Sequence, residues 1–348
     1  MKVKARPVCL DSERSILIGI LERNLPELPH ARRSEWLYDK NPAGNAWSWF
    51  AIEESLPSPI GVATVVPRFM WVGESLKLCG QVADFAIDPG YRSLGPAMLL
   101  QKATFDPVNR GLLAFCYDCP PDDRGMSTFR RMGMEANCRM RRFARPLRVE
   151  RRLGEKLASK KLVSITALFG NLALRLLPTR RHSASGIKVS VHEGRFGAEF
   201  TELDRNVRGG NLIRSRRSAE DLNWRFRDDP LNQYQVLTAH RGGELVGYAV
   251  VSLGEQDAYV LDLFSRSVAE VGPSLLDAVV EHVHDRKIQS VHALCADGSE
   301  MSGLLRSVRF SGREISARIV AYAKVETEAH AFLHGSPKWS FTRMDLMA

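Results

Sequence analysis

The chain has 348 residues, 44% hydrophobic and 26% charged, with a formal net charge of +9. That profile fits a globular protein of about two domains and excludes a disordered or collagen-like chain. The charge is local: between Arg139 and Arg181 thirteen Lys and Arg oppose only Glu150 and Glu155, so a chain that coats nucleic acid over its whole surface is not indicated.

Residues 9–24 read as a helix, with Leu17, Ile20 and Leu21 on one side. Asp11, Glu13 and Arg14 interrupt this N-terminal stretch, so no signal-peptide core is expected and the compartment expected is the cytoplasm. Residues 46–53 and 60–72 carry strand patterns, with Pro57 and Pro59 marking the turn between them. A strand over 78–87, a helix over 95–106, a strand over 111–117, a helix over 125–132 and a strand over 134–145 follow. The later half gives strands at 234–239, 245–252 and 257–264, a helix at 272–286, a strand at 290–295, a helix at 299–307 and a strand at 313–324. The six cysteines form no disulfide framework. Cys116 and Cys119 make a lone C-x-x-C, and a zinc site needs two more ligands at matching spacing, so no metal is expected.

The two halves repeat one another. Trp36-x-Tyr38-x-x-Asn41-Pro42 answers Trp224-x-Phe226-x-x-Asp229-Pro230. Around it, Glu22-Arg23-Asn24 answers Asp204-Arg205-Asn206, and Ile60-Gly61-Val62-Ala63 answers Val246-Gly247-Tyr248-Ala249. Asp84-Phe85 with Gly95-Pro96 answers Asp262-Leu263 with Gly272-Pro273, and Met126-Ser127 answers Met301-Ser302. Five matches in one order predict two copies of one α+β fold, each a mixed, mostly antiparallel sheet flanked by helices. The expected division is 1–148, a basic linker at 149–186, and 187–348. An aromatic pair such as Trp36 and Tyr38 could stack on a substrate, but its recurrence at Trp224 favours a structural role.

The stretch DFAIDPGYRSLGPAMLL, residues 84–100, carries the chemistry. A strand ends at Ile87, Asp88-Pro89-Gly90 turns, and a helix opens near Gly95. The first turn of a helix has N–H groups without intrahelical partners and a partial positive charge, and small residues let an anion approach them. Arg92 adds a charge-assisted contact. The alternative is an ordinary strand–turn–helix.

Arg92-Ser93-Leu94-Gly95-Pro96-Ala97 after Ile87-Asp88-Pro89 resembles the acetyl-CoA loop of the GNAT N-acetyltransferase superfamily. Phe129-Arg-Arg-Met-Gly133-Met134 resembles the same family's Tyr-x-x-aliphatic-Gly-Phe segment. The resemblance implies a tandem GNAT protein that uses acetyl-CoA or another acyl-CoA as co-substrate. The backbone of Phe85, Ala86 and Ile87 would pair with pantetheine, and the amides from Arg92 to Ala97 would hold the diphosphate. It further implies transfer to a small-molecule amine, an amino sugar or envelope precursor being one guess. Asp84 is the expected base, with a structural cap or pair as the alternative. By strand alternation it is expected on the face of Val82. The family's acid is the Tyr of that segment, here Phe129, so Tyr117 is expected in its place, with Asp118 beside it as a substitute. In the second copy Ala269 stands opposite Arg92 and Arg309 opposite Gly133, so only the first copy is expected to bind CoA.

Two alternatives remain open: FemAB-like aminoacyl transfer from tRNA, the one setting in which nucleic acid would be a partner, and a CoA-binding protein without turnover. Leu162–Leu177 is sixteen residues with Asn171 and Arg175 inside it, short of the roughly 20 residues that cross a bilayer. With its basic flanks, 150–181 reads as a linker helix packed between the copies, or as a peripheral contact with the inner face of an anionic membrane.

Overall fold

The computed structural model describes residues 2–148, 186–207, 209–284 and 286–347. The segment 150–181, with its linker-helix and membrane readings, lies outside them. The first half runs β1 (Val3–Pro7), α1 (Leu10–Asn24), α2 (His30–Tyr38), β2 (Trp47–Glu53), β3 (Gly61–Val72), β4 (Ser75–Ile87), α3 (Leu94–Ala103), the single turn α4 (Asp106–Asn109), β5 (Cys116–Asp118), α5 (Asp123–Arg131) and β6 (Cys138–Pro146). The second runs β7 (Ile187–Val191), α6 (Ala198–Asn206), β8 (Leu212–Ser215), α7 (Ala219–Phe226), β9 (Gln235–Arg241), β10 (Glu244–Leu253), β11 (Asp257–Ser265), α8 (Val268–His284), β12 (Ser290–Ala296), α9 (Glu300–Ser307), β13 (Ser311–Tyr322), α10 (Glu328–His334) and β14 (Lys338–Trp339).

The fold is α+β. One sheet orders its strands β1-β2-β3-β4-β5-β13-β6-β12-β11-β10-β9-β7, with β8 and β14 off this path. Among the described residues, only β4–β5, β11–β12 and β8–β14 pair in parallel. The order is a palindrome under the repeat, but with its last strands exchanged. The strand expected to close the first copy, β6, pairs with β12 and β13; β13 in turn pairs with β5. The sequence marks β6 as a strand but says nothing about which edge it joins. Phe143, fully buried, packs in the second half's core with Val271, Leu275 and Val291. The expected boundary at 148 lies after β6, a strand already paired in the second half's sheet, and the sheet runs on across it.

The repeat meets itself at Trp36 and Trp224. Their rings stack with centroids 5.0 Å apart. Each indole N–H donates to the other tryptophan's carbonyl, at 2.7 and 3.0 Å. Such reciprocity is what a two-fold contact requires. Downstream, Asn41 accepts from the Ala43 N–H and Asp229 from the Leu231 N–H, the same side-chain turn around each proline. Gly133 and Arg309 both sit at positive φ, +75° and +69°, just past α5 and α9, so the second copy keeps the left-handed cap after losing its glycine.

Two layers of helices cover the first half's sheet. On one face Leu17, Ile20 and Leu21 of α1 and Leu37 of α2 pack on Val62, Val66 and Ala83. On the other, Leu100 of α3 and Met126 and Phe129 of α5 pack on Val65, Val82 and Cys116. The candidate site lies between these layers, at the end of β4.

Candidate functional site

Strand β4 is paired with β5 in register only at Gly80↔Cys116 and Gln81↔Tyr117. Beyond that point β5 ends within one residue while β4 continues to Ile87. The two strands form a fork, and the β4 backbone beyond it has no sheet partner on that side among the described residues. A cleft of about 650 Å³ opens there, lined by Phe85, Ala86, Ile87, Arg92, Ser93, Leu94 and Ala97, with Asn24, Leu25 and Arg124, Gly125, Ser127 and Thr128 on the remaining sides. Seven of the nine residues expected to hold CoA are thus brought to one place; Gly95 and Pro96 are not in its wall. Gly95 is exposed, and a Cβ built on it would meet nothing within 4 Å. Neither packing nor backbone strain asks for glycine there, which leaves open space before the unpaired first-turn amides of α3. Pro96 is buried and serves as packing beneath the turn.

Arg92 is placed differently from expectation. Its Nε donates to the Ile87 carbonyl at 2.8 Å and an NH2 to Asn24 Oδ1 at 3.0 Å. Asp88, held below the usual carboxylate range by hydrogen bonding to Arg23, accepts from Arg23 and Asn24. Arg92 braces the loop through this network. Arg124, exposed at the start of α5 on the opposite wall, makes no ion pair or side-chain hydrogen bond among the described residues and is the freer cation. Sequence spacing gives no reason to single it out; only the closing of α5 over the cleft does.

Asp84 is a correction. Between Val62 and Thr64 the β3–β4 register shifts, so β4 carries one extra residue. Asp84 sits at this bulge with φ +48°, the left-handed region. The bulge reverses the expected parity: Val82 packs under α3, whereas the Asp84 carboxylate is buried on the other face, in an ion pair with Arg33 and a hydrogen bond from the Tyr38 hydroxyl. Its second-copy counterpart, Asp262, is fully buried, held bidentately by Arg217 at 2.9 and 3.0 Å and by the Tyr248 hydroxyl at 2.8 Å. A carboxylate engaged by an arginine and a tyrosine in both copies is placed as a structural anchor, on the face opposite the one expected.

Tyr117 is also misplaced for an acid. It is 1% exposed, on the face away from α3, and its hydroxyl donates to the Asp345 carbonyl at 2.9 Å. Burial pushes its pKa further up. Asp118 is different. It is the first residue past the last β4–β5 pair, half-buried, with no ion pair among the described residues and with the neighbouring Cys119 backbone N–H as its hydrogen-bond donor. Strand alternation puts it on the Cys116 face, which α3 and α5 cover. Burial pushes its pKa up to about 7.

Among the described residues, the corresponding loop of the second copy is packed. Helix α8 begins four residues before Gly272, and both Gly272 and Pro273 are buried inside it. A Cβ on Gly272 would overlap the Leu304 side chain of α9. The fork between β11 and β12, whose pairing ends at Val260↔Ala293, is filled by the chain itself. The Ala296 N–H donates to the Phe341 carbonyl at 2.9 Å, and Thr342 Oγ1 donates to Asp262 at 2.9 Å.

No known family profile matches this sequence, and no curated protein matches it. Solved structures do. A conserved protein of Enterococcus faecalis V583 named as a probable N-acyltransferase superposes with a TM-score of 0.65 at 12% identity, covering 93% of this chain and 73% of its own. A GCN5-related N-acetyltransferase of Anabaena variabilis gives 0.64 at 13%, covering 92% and 72%. A tandem GNAT protein from the clavulanic acid biosynthesis pathway gives 0.54 at 13%, covering 92% and 98%. The chain has the fold of the GNAT N-acetyltransferases, in tandem form.

Proposed function

We propose that the chain is an acyl-CoA-dependent N-acyltransferase whose first copy holds the co-substrate, acetyl-CoA being the simplest. The carrying observation is the fork: an unpaired β4 edge at Phe85–Ile87 leading to bare helix amides at Leu94 and Gly95. An extended pantetheine arm fits such an edge as an added strand, and a diphosphate fits a helix N-terminus with Arg124 opposite. The acyl thioester would supply the electrophilic carbon. As the amine nitrogen bonds to it, the carbon–sulfur bond breaks and the amine sheds a proton to solvent, from which Asp118 regains its own after each turnover. Asp118, on the CoA face of the fork and protonated near neutrality, supplies a proton to the leaving sulfur, the role that Phe129 cannot take.

Calorimetry tests the cleft. Gly95→Asp places a side chain and a negative charge where the diphosphate would lie, and CoA affinity should fall by about tenfold or more, with the fold intact because nothing lies within 4 Å of that Cβ. Equal affinity in wild type and variant would remove CoA from this cleft.

A further inference from the structure

A second cavity, of about 400 Å³, lies between the two copies on the opposite face of the fork. Arg33 from the first copy, Arg225 from the second and Arg343 from the C-terminal segment all line it. Its wall shares no residue with the CoA cleft but is tied to β4 by two contacts. Arg33 holds Asp84, whose neighbour Phe85 lines the CoA cleft. Met347, also in its wall, donates its N–H at 2.5 Å to Gln81, the last paired β4 residue, when the Gln81 amide is turned to satisfy both its ends.

The charges in this wall do not balance. Asp84 neutralises Arg33, and Asp229 stands 3.7 Å from Arg225 while also accepting from Tyr234 and Asn232. Arg343 is exposed and has no side-chain partner among the described residues. The Nε atoms of Arg33 and Arg225 are buried without an acceptor among those residues. Behind them Arg68, 4% exposed, donates to the Met344 carbonyl. Burial lowers the Arg225 pKa, and nearby Arg68 lowers it further. Buried guanidinium groups need anionic or hydrogen-bonding partners, and their forked donors match carboxylate and phosphate.

We infer that this cavity is the acceptor site, and that the acceptor is an amine that also carries an anionic group, carboxylate or phosphate, which docks on Arg225 and Arg343. The inference rests on the acyl-transfer reading for the position of the amine. The second copy, which lacks a CoA loop, then supplies most of the acceptor's binding wall, ten of its thirteen lining residues.

The test uses the full chain, saturated with CoA, and isothermal titration of two matched pairs: 6-aminohexanoate against hexylamine, and O-phosphoethanolamine against ethanolamine. An anionic amine should bind at least about tenfold more tightly than its neutral partner, and the pair that shows this identifies carboxylate or phosphate. Arg343→Gln, at an exposed position that leaves the fold intact, should remove most of that preference while CoA affinity stays unchanged. Equal binding within both pairs, no binding by any of the four, or a preference that survives Arg343→Gln would overturn the inference. Failure of CoA itself to bind would overturn the acyl-transfer reading instead, so the two outcomes separate.

Discussion

The two forks make the sharpest comparison in the molecule. In the first copy β4 and β5 part at Gln81 and Tyr117, and the space beyond opens on the α3 amides. In the second, β11 and β12 part at Val260 and Ala293, and the space is taken by Phe341 and Thr342. The glycines compare in the same way. Gly95 faces nothing, whereas Gly272 lies against Leu304. So do the strand ends: Asp118 stands past the first fork, while Leu294, Cys295 and Ala296 past the second carry no carboxylate. One backbone can thus serve as a ligand cleft or as packing, and a handful of side chains decide which. A loop motif read without its surroundings would treat both glycines alike.

Three experiments press on this contrast. The largest effect is expected at the residue that only the open fork has. Asp118→Asn should lower kcat by about 10²–10⁴-fold, the usual range for a positioned proton donor. In the wild type the acid form is lost as pH rises through about 7, so the rate should decline above that pH, and this limb should be absent in the variant. Stability should follow the same group. An unfolded aspartate ionises near pH ~4 and this one near 7, so the folded state's advantage from Asp118 is complete below about 4 and gone above about 7. Asn should abolish that decline. An unchanged pH profile would return the proton to another donor.

Next comes the strand exchange. Phe143→Ala, a change in the first half of the chain, should destabilise the second half's core by about 3–5 kcal/mol, read as a lower denaturation midpoint. Unfolding should remain a single transition. Two separated transitions would show that the halves are independent despite the shared sheet.

The smallest effect compares the two glycines directly. Gly272→Ala should cost about 1–3 kcal/mol through overpacking on Leu304, while Gly95→Ala should leave stability within about 1 kcal/mol of wild type. Similar losses at both sites would mean that the loop of the first copy is packed after all.

Much of this is legible in the sequence, and the exceptions have physical causes. The repeat is readable because the Trp36 and Trp224 motifs make one contact from both sides, so each must keep its tryptophan and its turn. The strand–turn–helix at 84–103 is readable because it is local: strand, turn and helix are contiguous. Strand alternation puts Asp84 on the wrong face because a single extra residue in β4 inverts the parity, and a bulge leaves no mark in a two-residue period. Tyr117 looks like an acid because its burial depends on the Asp345 segment, more than two hundred residues away. The second fork's plug at 341–342 escapes notice for the same reason. Arg92 and Arg124 exchange their expected importance because Asn24 and the Ile87 carbonyl occupy the former.

The exchanged strands also set a timetable for synthesis. Domains commonly fold in order as the chain emerges, the N-terminal one first. Here β5, paired with β4 on one edge, cannot find its second partner until β13, Ser311–Tyr322, has been made, although the cleft residues and β5 itself all lie before residue 130. Through most of translation the first copy has an open sheet edge beside its ligand cleft, the kind of edge that other chains add to. Contacts that span some two hundred residues are also slow to form. Until β13 emerges, pairing of the β5 edge with a neighbouring chain competes with pairing within its own.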